Sequence, residues 1–131
     1  VEMIGDGIHI DPAVVRNTFR MFGEERIVLI SDSMMAAGMA NGFYELGGQK
    51  VTVKDRKAVL EDGTIAGSAT SLYECMRCVI AMGVPERAAV FAATRNPARS
   101  IGIYDEVGYL VPGKKAVIVL ADEKLNIVKV I

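Results

Sequence analysis

Residues 26–31 read RIVLIS, and this apolar run without alternating polar positions is the feature that most restricts the fold. A strand that is apolar on both sides is covered on both faces, as in the parallel sheets of α/β proteins. It follows a predicted helix that Asp11 and Pro12 begin and Gly23 ends. Another strand is predicted within residues 1–10. The first third of the chain therefore predicts a βαβ unit with ligand chemistry at the carboxyl ends of its strands.

The remainder of the chain alternates between β and helical patterns. Three short β-prone runs, FYEL, KVTV and KAVL, are separated by GG, DR and EDG turns and predict a meander. Two helices follow, and Asn96-Pro97 is predicted to cap a short turn after them. The tail predicts a hairpin of a buried strand, AVIVLA, and a return strand, IVKVI. The order indicates the end of an α/β barrel wrapped by strands of a second, all-β domain, as a segment of a longer polypeptide.

Composition and charge exclude several classes of function. The formal net charge of the 131 residues is -1, which leaves no basic footprint for nucleic acid and no polybasic arm for membranes. No apolar run approaches the ~20 residues that span a bilayer. The start of the chain does not have the pattern of a signal peptide, because Glu2 and Asp6 interrupt it.

Cys75 and Cys78 form a CMRC pair, a spacing that occurs in metal and redox sites. The alternative is structural, because Cys75 shares the apolar stripe of a predicted helix, where cysteine packs as a small hydrophobe. The structural interpretation is favoured, and it predicts a reduced, cytoplasmic protein. His9 is the only histidine. Since a catalytic zinc takes about three protein ligands, this chain alone does not predict a metal site.

Asp32 and His9 are the strongest candidates for chemistry. Asp32 follows the buried strand, where barrel enzymes place catalytic groups; the alternative is a cap for a following turn. His9 ends the first predicted strand, and neighbouring strand ends lie ~5 Å apart, or ~10 Å with a strand between them. The two side chains are therefore expected to face one pocket, with Asp6 as a local hydrogen-bonding residue. GTIAGS at 63–68 is predicted to run into a helix start, as a cap or an anion-binding terminus.

Six segments, taken with their spacings, resemble the C-terminal part of the N-acetylglucosamine-6-phosphate deacetylases of the amidohydrolase superfamily. They are DGIHID, LISDSMMAAG, YELGGQKVTV, LEDGTIAGSATSL, TRNPARSIGI and GYLVPGKKA. The resemblance covers essentially the whole chain. It implies an α/β fold, the C-terminal part of a metal-dependent-hydrolase (β/α)8 TIM barrel plus strands of a small β-sandwich domain. It also implies a cytoplasmic, homodimeric hydrolase that converts N-acetylglucosamine 6-phosphate to glucosamine 6-phosphate and acetate.

The resemblance implies a division of the chain into three parts. Residues 1–42 would be the last strand-helix-strand unit of the barrel. Residues 43–104 would be a β-meander insertion followed by the closing barrel helices. Residues 105–131 would be C-terminal strands of the small β domain.

The resemblance also implies residue roles. Asp32 matches the catalytic aspartate, which takes a proton from a metal-activated water. The residues that match the substrate-binding segments are Asp6, Gly7, Ile8, His9, Ile65, Ala66 and Gly67. The divalent metal, zinc or iron, would be held by earlier strands that have no counterpart here. The chain alone is therefore predicted to be inactive, and its open barrel strands to self-associate.

Two alternatives remain open from the sequence. The first is another amidohydrolase that shares the barrel and the strand-end aspartate and acts on a cyclic amide. The second is a non-catalytic module for sugar-phosphate binding or assembly that retains the same architecture.

Overall fold

The computed structural model describes residues 1–131 as eight strands and four helices. The strands are β1 (Glu2–Ile4), β2 (Val28–Ile30), β3 (Gly42–Leu46), β4 (Gln49–Lys54), β5 (Lys57–Leu60), β6 (Ile65–Ser68), β7 (Val119–Ala121) and β8 (Ile127–Val130). The helices are α1 (Pro12–Phe22), α2 (Leu72–Ala81), α3 (Glu86–Ala93) and α4 (Arg95–Ser100). None of these helices has the length and apolar character needed to cross a bilayer.

The predicted βαβ unit is confirmed. Strands β1 and β2 pair in parallel, with Ile4 opposite Ile30, and α1 connects them. Helix α1 begins as predicted, because the Asp11 carboxylate accepts a hydrogen bond from the backbone N–H of Ala13 at 2.7 Å. The first strand is shorter than predicted: it ends at Ile4, and the following residues form a turn. The carboxyl ends of both strands lie at one edge of the sheet.

The first hydrophobic core lies between this parallel pair and helices α1, α2 and α3. Its buried members are Met3, Val15, Phe19, Ile27, Leu29, Met76, Val79, Val84, Ala88, Ala89 and Ala92. Cys75 is also fully buried on α2, as the apolar stripe predicted. Burial raises the pKa of the Cys75 thiol to about 11, so the thiol is neutral and unreactive at physiological pH.

The predicted three-stranded meander is present, but β6 adds a fourth strand that the sequence interpretation missed. The sheet order is β3-β4-β5-β6, with every pair antiparallel. A second core lies against this sheet, formed by Met34, Ala36, Val51, Val53, Ala58, Ala66 and Ala69. GTIAGS was predicted to run into a helix start, and this prediction is wrong for residues 65–68, which pair with β5.

The true start of helix α2 explains this correction. Ser71 is the N-cap: its hydroxyl accepts from the backbone N–H of Glu74 at 3.3 Å, and the Glu74 carboxylate accepts from the N–H of Ser71 at 3.4 Å. This reciprocal capping box begins the helix at Leu72. The residues before it are then free to extend the sheet.

The predicted tail hairpin is present, with β7 and β8 antiparallel, but its first strand is not buried as predicted. All three residues of β7 and all four of β8 are exposed, because no second layer covers either strand. One hydrogen bond ties the hairpin turn to the body of the chain, from the Tyr73 hydroxyl to the carbonyl of Leu125 at 3.1 Å.

The sequence interpretation proposed that Asn96 caps a turn, but Asn96 lies inside α4 and bonds to residues far away in the chain. Its side-chain amide donates to the carbonyls of Glu24 and Ile27, each at 2.7 Å. Arg95 beside it forms an ion pair with Glu25, and its guanidinium carbon lies 4.1 Å from the centre of the Phe91 ring. Helix α4 therefore holds the loop from which β2 starts.

We predict that Asn96→Ala destabilises the chain. Removing the amide leaves the buried carbonyl of Ile27 without its donor, and an unsatisfied buried group costs about 1–3 kcal/mol. The free energy of unfolding, measured by urea titration, should fall by that amount. Asn17→Ala is the matched control, because Asn17 is exposed on α1, and it should change stability by less than about 0.5 kcal/mol. If Asn96→Ala and Asn17→Ala changed the free energy of unfolding equally, the hydrogen bond from Asn96 to Ile27 would not be stabilising the chain.

We also predict that Gly5→Ala is destabilising. A Cβ at Gly5 would lie 2.6 Å from Val79 Cγ1 and 3.3 Å from the carbonyl oxygen of Cys75, so β1 would be pushed away from α2. Overpacking of this kind costs about 1–3 kcal/mol. At Gly42 the nearest atom is 3.7 Å away, so Gly42→Ala should be neutral or stabilising in the same titration. A stable Gly5→Ala variant would show that this contact is not tight.

Candidate functional site

The turn after β1 is built around the side chain of Asp6. One carboxylate oxygen, Oδ1, accepts from the backbone N–H groups of Ile8 at 2.9 Å and His9 at 3.1 Å. The other, Oδ2, lies 2.8 Å from Nδ1 of the His9 ring. Gly7 has a φ of 79°, which lets the chain reverse within the turn. These contacts fix the position of the imidazole relative to the end of the strand.

Asp6 is a buried carboxylate, with only 2% of its surface exposed. Burial by itself raises the pKa of Asp6, but the hydrogen bonds from the two backbone N–H groups and from the His9 ring outweigh it. The pKa therefore lies below its ordinary value of 3.8. Asp6 is charged at neutral pH and acts only as a hydrogen-bond acceptor.

Asp32 lies at the end of β2 in an unusual conformation. It is exposed, and its φ of 46° is in the left-handed region that a residue with a side chain rarely adopts. The backbone N–H of Ser68 donates to the carbonyl of Asp32 at 3.1 Å and holds this geometry. Asp32 follows Ile30 by two residues, as Asp6 follows Ile4 on the neighbouring strand.

Ser68 joins the two strand ends, and the sequence interpretation did not single it out. Its hydroxyl donates to Asp6 Oδ2 at 3.2 Å, while its backbone N–H donates to Asp32. Its carbonyl accepts from the N–H of Met34 at 2.8 Å, so Ser68 and Ser33 form an isolated parallel bridge. Ser68 is thus hydrogen-bonded to Asp6, in the loop that carries His9, and to Asp32, in the neighbouring loop.

The other predicted site residues lie along β6 at increasing distance from this junction. Gly67, with a φ of 88°, lies against the second loop: a Cβ there would be 3.6 Å from the carbonyl oxygen of Asp32. Ala66 is buried in the second core, and Ile65 is exposed opposite Val59. The structure therefore brings Gly67 to the junction, whereas Ala66 packs into the sheet.

The residues present do not form a metal centre on their own. No three or more His, Cys, Asp and Glu side chains converge anywhere in the chain. Cys75 and Cys78 are both free thiols on α2. The site offers one buried carboxylate, one imidazole and one exposed carboxylate, which can bind, orient and transfer protons.

Known proteins share both the sequence and the fold. The chain matches the Amidohydrolase family over residues 2–131. It is 37% identical over 128 residues to the N-acetylglucosamine-6-phosphate deacetylase of Bacillus subtilis, covering 97% of this chain and 32% of the relative. It is also 37% identical over 128 residues to the N-acetylgalactosamine-6-phosphate deacetylase of Escherichia coli O157:H7, covering 97% of this chain and 34% of the relative.

A solved structure also matches this chain in both fold and sequence. It is a Mycobacterium smegmatis N-acetyl-D-glucosamine-6-phosphate deacetylase, with an aspartate replaced by alanine, in complex with N-acetyl-D-glucosamine-6-phosphate. The match has a TM-score of 0.90 and 36% identity, and it covers 100% of this chain and 35% of that one. The chain spans about a third of the length of these relatives. The predicted fold class is confirmed, and the chain belongs to the amidohydrolase family.

Proposed function

We propose that this chain supplies the proton-transferring aspartate and part of the substrate pocket of a deacetylase. The proposed reaction removes acetate from N-acetylglucosamine 6-phosphate and leaves glucosamine 6-phosphate. The relatives support this proposal, since those at 36–37% identity are deacetylases of N-acetylated hexosamine 6-phosphates. The single observation that carries it in this chain is the placement of Asp32, an exposed carboxylate at the carboxyl end of β2 that Ser68 holds beside the end of β1.

The backbone at Asp32 is held in a costly conformation by its surroundings. Left-handed geometry at a residue with a Cβ costs roughly 1–2 kcal/mol, less for Asp than for most residues. Such strain persists only where neighbouring structure enforces it, and it clusters at functional sites. Here the bond from Ser68 enforces it, and the result is an exposed carboxylate at the end of a strand beside the His9 loop. Asp55, Arg56 and Leu125 also have positive φ, but they lie in hairpin turns, whereas Asp32 lies at the carboxyl end of the parallel strand β2.

In the proposed mechanism Asp32 moves the proton and His9 orients the substrate. The Asp32 carboxylate accepts a proton from the attacking water and returns it to the departing amine, a role worth about 10²–10⁴-fold in rate. His9 binds the acetamide or a neighbouring sugar hydroxyl through Nε2, because Nδ1 is engaged by Asp6. Gly67, which packs against the carbonyl of Asp32, is proposed to line the sugar site, while Gly7 and Ile8 shape the turn that presents the imidazole.

The proposal places this site at the end of a (β/α)8 barrel. Residues 1–42 form its last strand-helix-strand unit, residues 43–104 the inserted meander and closing helices, and residues 105–131 strands of the small β domain. The complete enzyme is proposed to be a cytoplasmic homodimer. Metal dependence is general in the family, and zinc or iron is the proposed ion. The residues of this chain do not fit a metal centre, so no step of the mechanism above passes through the ion.

A second candidate substrate is N-acetylgalactosamine 6-phosphate, because the Escherichia coli relative that acts on it is equally identical, at 37%. The two sugars differ in the configuration of one hydroxyl group. Comparing kcat/KM for both on the complete polypeptide would rank them. Turnover of a cyclic amide alone, or sugar-phosphate binding without turnover, would instead support one of the two alternatives from the sequence.

We predict that Asp32→Asn in the complete polypeptide that carries this segment lowers kcat by about 10²–10⁴-fold. Asparagine tolerates left-handed backbone geometry as aspartate does, so the fold should be retained while proton transfer is lost. Acetate release from N-acetylglucosamine 6-phosphate is the measurement. Asp105→Asn is the matched control, since Asp105 is exposed and accepts no hydrogen bond, and it should leave kcat unchanged. Near-normal turnover by Asp32→Asn would remove Asp32 from the mechanism.

We predict that the 131-residue chain alone releases no acetate, even with added zinc or iron, because its side chains do not assemble a metal centre. The same assay on the purified chain tests this. Metal-stimulated acetate release above a no-protein blank would show that the chain is catalytically self-sufficient.

A further inference from the structure

Asp6 is surrounded by donors on every side and has no surface left for a substrate. Its side chain is fully buried, and its two oxygens face four hydrogen-bond partners. These are the backbone N–H groups of Ile8 and His9, the ring Nδ1 of His9, and the hydroxyl of Ser68. The resemblance assigns Asp6 to substrate binding, yet the geometry gives it a different task.

The direction of each hydrogen bond in this cluster is determined. The backbone N–H of Thr70 donates to the Ser68 oxygen at 3.1 Å, so the single hydroxyl proton of Ser68 is directed to Asp6 Oδ2 at 3.2 Å. An ionised carboxylate has no proton to give. The contact of 2.8 Å between Oδ2 and the His9 ring can therefore form only if Nδ1 carries the proton.

We propose that Asp6 is a positioning residue that keeps Nδ1 of His9 protonated, so that Nε2 is the only ring atom that exchanges protons or binds substrate. This inference rests on the proposed function only for the placement of His9 at the substrate pocket. A neutral imidazole in free solution favours the opposite tautomer, with the proton on Nε2. The protein thus reverses the intrinsic preference.

This arrangement restricts what His9 can recognise. A neutral ring held in this way offers a lone pair at Nε2, which accepts from a hydroxyl or an amide N–H of the substrate. A protonated ring donates from Nε2 to a carbonyl or phosphate oxygen. A neutral ring that donates from Nε2 is excluded, so any contact with the acetamide oxygen requires the imidazolium form.

The test is the tautomer of His9, read by ¹⁵N NMR. Because His9 is the only histidine, its two ring nitrogens give an unambiguous spectrum of the full chain. Nε2 couples to both ring C–H protons and Nδ1 strongly to one, which identifies each nitrogen. At the alkaline end of a pH titration we expect Nδ1 at the shift of a protonated nitrogen and Nε2 far downfield. If self-association broadens the lines, magic-angle-spinning spectra of sedimented protein give the same shifts.

Two variants sharpen the test. In Asp6→Asn the amide oxygen can still accept at the Oδ1 position, but an NH₂ group replaces Oδ2 and donates towards the ring. The tautomer should therefore switch to Nε2–H. In Ser68→Ala the contact between Asp6 and Nδ1 remains, so the tautomer should stay as in the parent chain. Dispersed backbone amide spectra establish that each variant is folded.

The inference is overturned if the parent chain shows the Nε2–H tautomer, or if a folded Asp6→Asn variant leaves the tautomer unchanged. The measurement on the parent chain decides the question even if Asp6→Asn does not fold. No substrate is present in these spectra. Failure of the deacetylase assay would therefore leave this result intact, and an unexpected tautomer would leave the assay of Asp32→Asn intact.

Discussion

The buried charge of Asp6 is the constraint on which the arrangement of the site depends. An ionised carboxylate without partners costs several kcal/mol to bury, so each of its oxygens must be fully hydrogen-bonded. Those bonds come from its own turn, from the ring of His9 and from the hydroxyl of Ser68. Meeting this requirement brings β6 to the ends of β1 and β2. The same contacts place Ser68 where its backbone can hold Asp32.

Two structural layers therefore meet at one residue. Strands β1 and β2 belong to the helix-covered core, whereas Ser68 ends the antiparallel sheet that covers the second core. Apolar packing within each core is non-directional and could not by itself set the angle between the two. Hydrogen bonds through Ser68 are directional, and they set the relative position of the imidazole and the exposed carboxylate.

The sequence was sufficient where a pattern had one physical meaning. The non-alternating run before Asp32 predicted a parallel strand, and Asp11 with Pro12 predicted the helix start. Cover on both faces was also predicted, but Val28 and Ile30 are only half-buried in this chain. It was insufficient where a residue acts across the chain. Ser68 bonds to Asp6, which lies 62 positions earlier, and no local pattern indicates that contact. The start of α2, in contrast, was readable, because only Ser71 among the nearby hydroxyl residues has a glutamate three positions later. Asn96 resembled a local cap, but its partners lie about 70 positions away in the chain.

The bridge between Ser33 and Ser68 also has a consequence for dynamics. Proteins open in cooperative units, and the two hydrophobic clusters here are separate candidates for such units. If either unit unfolds transiently, the link between the strand ends is lost. The lifetime of this arrangement of the two loops is then governed by whichever unit opens more often, although Asp32 and His9 both belong to loops of the parallel pair.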